Sequence, residues 1–158
     1  MPTQLQTLYT GRSGHLAVMA QFLHRGYNAA IPEVDRGDDI FVVRDEDGKL
    51  TRIQVKAANG RGVRRWSAAY KIPLRQLQRL HTPELYYVFA IHHGGGWNDF
   101  VIISREDLDR LRVRPGIGRV VGEHFYLRLS FSAANVLCNG YNLQPYRNNW
   151  AAWPVIQH

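Results

Sequence analysis

One hairpin constrains this chain more than any other stretch. Residues 39–44 (Asp-Ile-Phe-Val-Val-Arg) and 50–57 (Leu-Thr-Arg-Ile-Gln-Val-Lys-Ala) are rich in β-branched residues, and Asp45-Glu46-Asp47-Gly48 joins them as a turn with Gly placed for positive φ. Both segments are apolar on both faces, which predicts a central, covered position in a sheet. If the turn centres between Glu46 and Asp47, Asp39 lies opposite Gln54; if Asp47-Gly48 is a tight two-residue turn, Asp39 lies opposite Lys56. Both registers have the same parity. Side chains alternate along a strand, so Asp39, Gln54 and Lys56 share one face either way.

Around that hairpin the pattern predicts one mixed sheet with helices, an α/β (α+β) domain. Leu16, Met19, Ala20 and Leu23 recur at helical spacing and predict a helix over 13–25, capped by Ser13 and ended by Gly26. A short strand is expected at 27–31 and a polar loop at 32–38. Residues 59–66 read as a basic, glycine-rich loop, and 73–81 as a short helix opened by Pro73. Strands follow at 85–91, 99–103 and 124–131, with a helix at 104–111 capped by Ser104. No Pro/Gly/Ser linker divides the chain, so one domain over 1–158 is expected, with a core at about 11–131 and an Asn- and aromatic-rich extension at 132–158.

Charge narrows the partner class. The net charge is +7 and the basic residues are mostly arginine. Guanidinium pairs with phosphate through two parallel hydrogen bonds, so nucleic acid is the leading partner. The single cysteine, Cys138, forms no internal disulfide and no zinc knuckle. No apolar run approaches the roughly 20 residues that cross a bilayer, and residues 1–10 lack the regions of a signal peptide; a cytoplasmic location is the default expectation.

A carboxylate, an amide and a lysine at the end of two core strands suit phosphodiester chemistry. Asp39 would hold Mg²⁺ or Mn²⁺, with the Gln54 side-chain oxygen or the Val55 carbonyl as neutral ligands. Such a metal acidifies a bound water and polarises phosphate. Lys56 would orient that water or stabilise developing negative charge. The plainer alternative is that Asp39 starts a strand and Lys56 snorkels to solvent.

Gly11-Arg12-Ser13-Gly14, Gly26-Tyr27, Asp35-Arg36-Gly37-Asp38-Asp39-Ile40 and Ile53-Gln54-Val55-Lys56 occur in an order that resembles the PD-(D/E)xK nuclease superfamily. Within it the chain is similar to small stand-alone nucleases, including resolvase-like proteins and certain intron homing endonucleases. The resemblance covers about residues 11–57 well and 84–111 loosely. It implies a restriction-endonuclease-like core, Asp39 as metal-binding acid, Gln54 in the second acidic position and Lys56 as catalytic lysine. Two departures stand out. Gln54 is neutral where most relatives carry a carboxylate, and His15 occupies the place of a first-helix Glu, where it would ligate metal or act as a base. The implied activity is metal-dependent cleavage of DNA, double-stranded or branched. A degenerate domain that binds nucleic acid or a protein partner without cutting is the alternative.

Arg61, Arg64, Arg65 and Trp66 follow the lysine strand directly, and Lys71, Arg75 and Arg79 extend the basic run; these are the candidate nucleic-acid contacts. His92-His93 lies at no familiar zinc spacing and reads as a surface turn, and Gly94-Gly95-Gly96 as a hairpin tip. In the tail, Tyr141, Tyr146, Trp150 and Trp153 either stack on bases or pack in a core or interface. Because cutting a duplex takes two sites, a homodimer or larger homo-oligomer is expected.

Overall fold

The structure is a computed structural model that describes residues 3–152. It opens with a long helix, α1 (Gln4–His24), then β1 (Asn28–Ala30) and the hairpin β2 (Ile40–Val43) and β3 (Leu50–Asn59). Next come β4 (Trp66–Pro73) and a short helix, α2 (Leu74–Gln78). A second hairpin, β5 (Leu85–His93) and β6 (Gly96–Ser104), leads into α3 (Arg105–Val113). The chain closes with β7 (Arg119–Val121), β8 (His124–Phe131), β9 (Val136–Cys138), β10 (Tyr141–Asn142) and two short 3₁₀ turns.

These elements make two sheets. The first has the order β1-β2-β3-β5-β6, with β3 and β5 parallel and the other pairs antiparallel. Ile40 pairs with Ile53, so Asp39 stands opposite Gln54, the first of the two registers the turn allowed. Tyr27, the turn at Gly48 and the α3 cap at Ser104 also sit where the sequence put them, or within a residue or two. The second sheet has the order β10-β9-β8-β4, with β7 also on β8.

The central sheet is covered on both faces, as its apolar strands require. Val18 and Phe22 on α1 dock on Ile40, Val42, Ile53 and Val55. On the other face Tyr87, Phe89 and Ile91 of β5 meet Tyr70 and Ile72 of β4 and Phe125 and Leu127 of β8. Burying side chains of this size stabilises the fold by roughly 1.5–3 kcal/mol each. β4 is an edge strand of the second sheet, and it runs beside β3 where the polar side chains of β3 emerge.

Two expectations need correcting. The first helix begins at Gln4, not at Ser13: Thr3 caps it, its side chain accepting from Gln6 N while the Gln6 side chain accepts from Thr3 N. Ser13 lies mid-helix, donating to the Thr10 carbonyl. Residues 67–72, given no element by the sequence, belong to β4, because Ala68, Tyr70 and Ile72 alternate into the core. The following helix is only Leu74–Gln78.

Part of the tail packs in the core, through Val136, Cys138, Leu143 and Trp150. Trp150 sits edge-on to Phe22 and Phe100, and Asn148, at positive φ, accepts from Phe100 N. Trp153 lies outside the described residues. Among the described residues no helix is long and apolar enough to cross a membrane.

Candidate active site at the head of β2

β2 stops where the site begins. The Asp39 N–H donates to the Ile53 carbonyl at 2.8 Å, and no further residue of β2 pairs with β3. Val55 N–H, two residues along β3, would lack a partner there. It donates instead to Asp39 Oδ2 at 2.7 Å. The carboxylate therefore lies in the plane of the sheet, where a continuing strand would place its backbone. In a strand the N–H and C=O of one residue point the same way, so the Val55 carbonyl is turned to this side too.

That in-plane position makes Asp39 reachable from both layers. From the helix side, His15 Nε2 stands 3.5 Å from Asp39 Oδ2. His15 shares a helix face with the buried Val18 and Phe22, three and seven residues on. The helix comes this near because Gly14 has no side chain: a Cβ there would lie 2.3 Å from the Ala57 Cβ. From the opposite side, the Gln54 amide donates to Asp39 Oδ2.

The Gln54 amide is held by a relay. Tyr87 OH donates to Gln76 Oε1 at 3.1 Å, and Gln76 Nε2 donates to the Gly37 carbonyl and to Gln54 Oε1, both at 3.0 Å. A backbone carbonyl only accepts, so the Gly37 contact fixes which end of Gln76 is the donor. Gln54 must then present its oxygen to Gln76 and its N–H to Asp39. The Gln54 oxygen, expected as a neutral metal ligand, thus accepts from Gln76, while the Gln54 amide orients the carboxylate.

Burial dominates the electrostatics. Desolvation pushes the Asp39 carboxyl up from its ordinary value, against the opposing pull of His15, the Val55 N–H and Lys56. Desolvation lowers Lys56, against the raising effect of Asp39 and Asp35. Each group is thus driven toward its neutral form, the kind of perturbation that clusters at functional sites.

Cation-binding capacity is limited. Among the described residues no group of three His, Cys, Asp or Glu stands at metal-ligating separations. Asp38 is buried against Arg52 at 3.6 Å, and Asp35 accepts from Gly37 N at 2.8 Å. The Asp39 carboxylate and the Val55 carbonyl remain. Both are hard oxygen donors, and the carboxylate carries a charge that its surroundings leave undercompensated. This set fits Mg²⁺ or Mn²⁺ retaining most of its waters.

The basic residues sort into two groups. Carboxylates hold Arg44, Arg52, Arg105, Arg110, Arg112 and Arg147 in ion pairs. Arg61, Arg64, Arg65, Lys71, Arg75 and Arg79 are exposed, and none forms an ion pair among the described residues. The loop that carries Arg61, Arg64 and Arg65 turns sharply at Gly62, where a Cβ would lie 1.9 Å from the Arg65 carbonyl oxygen. Trp66 departs from expectation. It is half-buried, stacked on His93 at 4.3 Å and near-parallel to Phe131, so its ring is engaged in packing and not presented to a base. Sequence reading missed Gln76, a residue whose role depends on three partners remote in sequence.

The fold is shared with a solved structure. The bacterial homing endonuclease I-Ssp6803I superposes with a TM-score of 0.58 at 14% identity, over 97% of this chain and 92% of that one. The mixed central sheet flanked by helices found here matches a nuclease-like fold. No protein-family model matches the chain, and no curated protein matches it in sequence.

Proposed function

We propose that the protein is a divalent-metal-dependent endonuclease that hydrolyses DNA phosphodiester bonds, a PD-(D/E)xK-type domain with a Gln-x-Lys variant motif. The observation that carries this reading is the Asp39 carboxylate set in the sheet plane beside the Val55 carbonyl, His15 and Lys56, on a fold like that of a homing endonuclease.

Asp39 and the Val55 carbonyl would hold Mg²⁺ or Mn²⁺. Bound there, the metal would supply an acidified water and a polarised phosphate. Gln54, locked by Gln76, keeps Asp39 aimed. Lys56, with its proton made easier to lose by burial, orients the attacking water or neutralises the charge that develops on the phosphate. His15 faces Asp39 from α1 and is placed to take a proton or complete the ligand set. The unpaired Arg61, Arg64, Arg65, Lys71, Arg75 and Arg79 would grip the DNA backbone. Cutting both strands takes two sites. The exposed apolar residues of α1, among them Leu5, Leu8, Tyr9 and Leu16, support a homo-oligomer that supplies them.

A second reading is a nuclease fold kept for binding alone. It is favoured by one observation: Asp39 is the only carboxylate within hydrogen-bonding distance of His15 and Gln54 among the described residues. Incubation with supercoiled plasmid separates the two. Nicked or linear product that needs Mg²⁺ or Mn²⁺ and disappears with a chelator supports the enzyme. Absence of product with either metal, alongside retained DNA binding, supports the binding module.

A further inference from the structure

Lys71 apart, the outer face of the second sheet has no part in the site described above. Alternation along β4 and β8 turns Ala68, Tyr70, Ile72, Phe125, Leu127 and Leu129 into the core. It leaves Ser67 opposite Ser130, Ala69 opposite Arg128 and Lys71 opposite Tyr126 on the outside. β7 sets Arg119 on the other side of Tyr126. The Lys71 ammonium and the Arg119 guanidinium lie 5.9 and 5.8 Å from the centre of the Tyr126 ring. Among the described residues none of Lys71, Arg119 and Arg128 is held by a carboxylate, unlike the six arginines paired elsewhere.

Two grooves join this face to the strand that carries Lys56. One, of about 490 Å³, runs from Thr10 on α1 past Ala57 and Asn59 on β3 to Arg61 and Arg128. The other, of about 300 Å³, continues from Arg128 past Tyr126 and Arg119 to Gly118 and Asn139. They share Ala69 and Arg128, and neither is lined by an acidic residue. A surface with positive charge, hydroxyls and amides but no carboxylate is complementary to a polyanion along its whole length. The length suits a duplex: eight residues of strand extend for about 26 Å, and a duplex presents a phosphate charge about every 1.7 Å of its axis.

The geometry points to the outer face of β4 and β8, through Arg128, Arg119, Lys71 and Tyr126, as a docking surface for duplex DNA, continuous with the groove along Ala57–Asn59 at the end of β3. This rests on the reading that the substrate is DNA, and it assigns the duplex a path that the basic loop at Arg61–Arg65 does not by itself define. Arg128 lies at the junction of the two grooves, so it is the residue on which the path depends.

Binding of fluorescently labelled duplex DNA, followed by anisotropy across a salt series, tests the assignment. Lys56→Ala serves as the parent, so that binding is read without cleavage. Adding Lys71→Ala, Arg119→Ala and Arg128→Ala together should reduce the log–log salt slope by about 2.7, at about 0.9 per lost phosphate contact, and weaken binding on the order of 100-fold near 0.15 M salt. Arg119→Lys with Arg128→Lys should keep the slope, which separates lost charge from a damaged sheet. An unchanged slope and affinity in the triple alanine variant overturns the docking surface while leaving the proposed nuclease standing. A parent that fails to bind duplex DNA at low salt overturns both. Normal salt-sensitive binding lost in the triple variant, in a protein that never cleaves, supports the surface and removes only the enzyme.

Discussion

Gly14→Ala should destabilise the protein, although it replaces a mid-helix glycine with the best helix former. In an open helix the change is worth about 1 kcal/mol in favour of Ala. At Gly14 the new Cβ would lie 2.3 Å from the Ala57 Cβ and 3.2 Å from the Trp97 ring. Carbon atoms pack at about 3.5–4.0 Å, so α1 must withdraw from β3 by more than 1 Å. Ala57 offers no relief, since its Cβ is fixed to the backbone of the central strand. Overpacking of this kind costs about 1–3 kcal/mol; set against the helix gain, the net loss of up to about 2 kcal/mol lowers Tm by as much as roughly 8 °C for a chain of this size. Gly11→Ala, three residues earlier on the same helix, meets nothing within 4 Å and should gain stability instead. Thermal unfolding of both variants therefore gives opposite signs. Gly14→Ala should also lose cleavage on the order of 100-fold, because His15 moves away from Asp39 with the helix. Adding Ala57→Gly removes the clash and should return part of both losses. A Gly14→Ala protein as stable as Gly11→Ala would refute the close approach, and with it the account of how His15 reaches the site.

Three other outcomes follow from the geometry. Gln76→Glu keeps an acceptor for Tyr87 but cannot donate to Gly37 or Gln54, so it should cost about 1–3 kcal/mol in chemical denaturation and reduce cleavage with little change in DNA affinity. Lys56→Met should raise Tm at neutral pH: the folded pKa is lowered, so the cost of holding the charged lysine is absent above its ordinary value of 10.5, grows as pH falls below 10.5 and is complete below the folded value. The advantage of the Met variant should accordingly shrink as pH rises toward 10.5, and a constant advantage would contradict a desolvated lysine. Arg105, 4% exposed, pairs through two nitrogens with Glu84 and donates to the Leu77 carbonyl; Arg105→Ala should cost about 3 kcal/mol and lower Tm by roughly 6–12 °C.

What could be read from the sequence was local. The β2–β3 hairpin was legible, with Gln54 and Lys56 on one face of β3, because a glycine turn, the apolar run at 40–43 and the alternation at 53–56 specify it without outside help. The first nine residues of α1, 4–12, were not, because they bury nothing in the core; Leu5, Leu8 and Tyr9 stay exposed, and only the Thr3–Gln6 capping box marks the start. β4 alternates clearly at Ala68, Tyr70 and Ile72, yet Trp66 drew the eye as the end of a loop and Pro73 as the start of a helix. Its partner, β8, lies some fifty residues away, and nothing in either strand names the other. For the same reason the second sheet, with its basic outer face at Arg119 and Arg128, was beyond reach. At the site, Asp39 and Lys56 were visible by type and spacing. The orientation of Gln54 was not, since it is set by Gln76, Gly37 and Tyr87 from three separate segments.

The most direct measurement is cleavage of supercoiled plasmid in Mg²⁺ or Mn²⁺ by the native protein and by Lys56→Ala, with DNA binding followed in parallel. The account predicts metal-dependent nicking by the native protein, loss of nicking in the variant, and equal affinity for DNA in both. Equal nicking by the two proteins would contradict it, because the cleavage would then come from somewhere other than the site formed by Asp39, Val55 and Lys56.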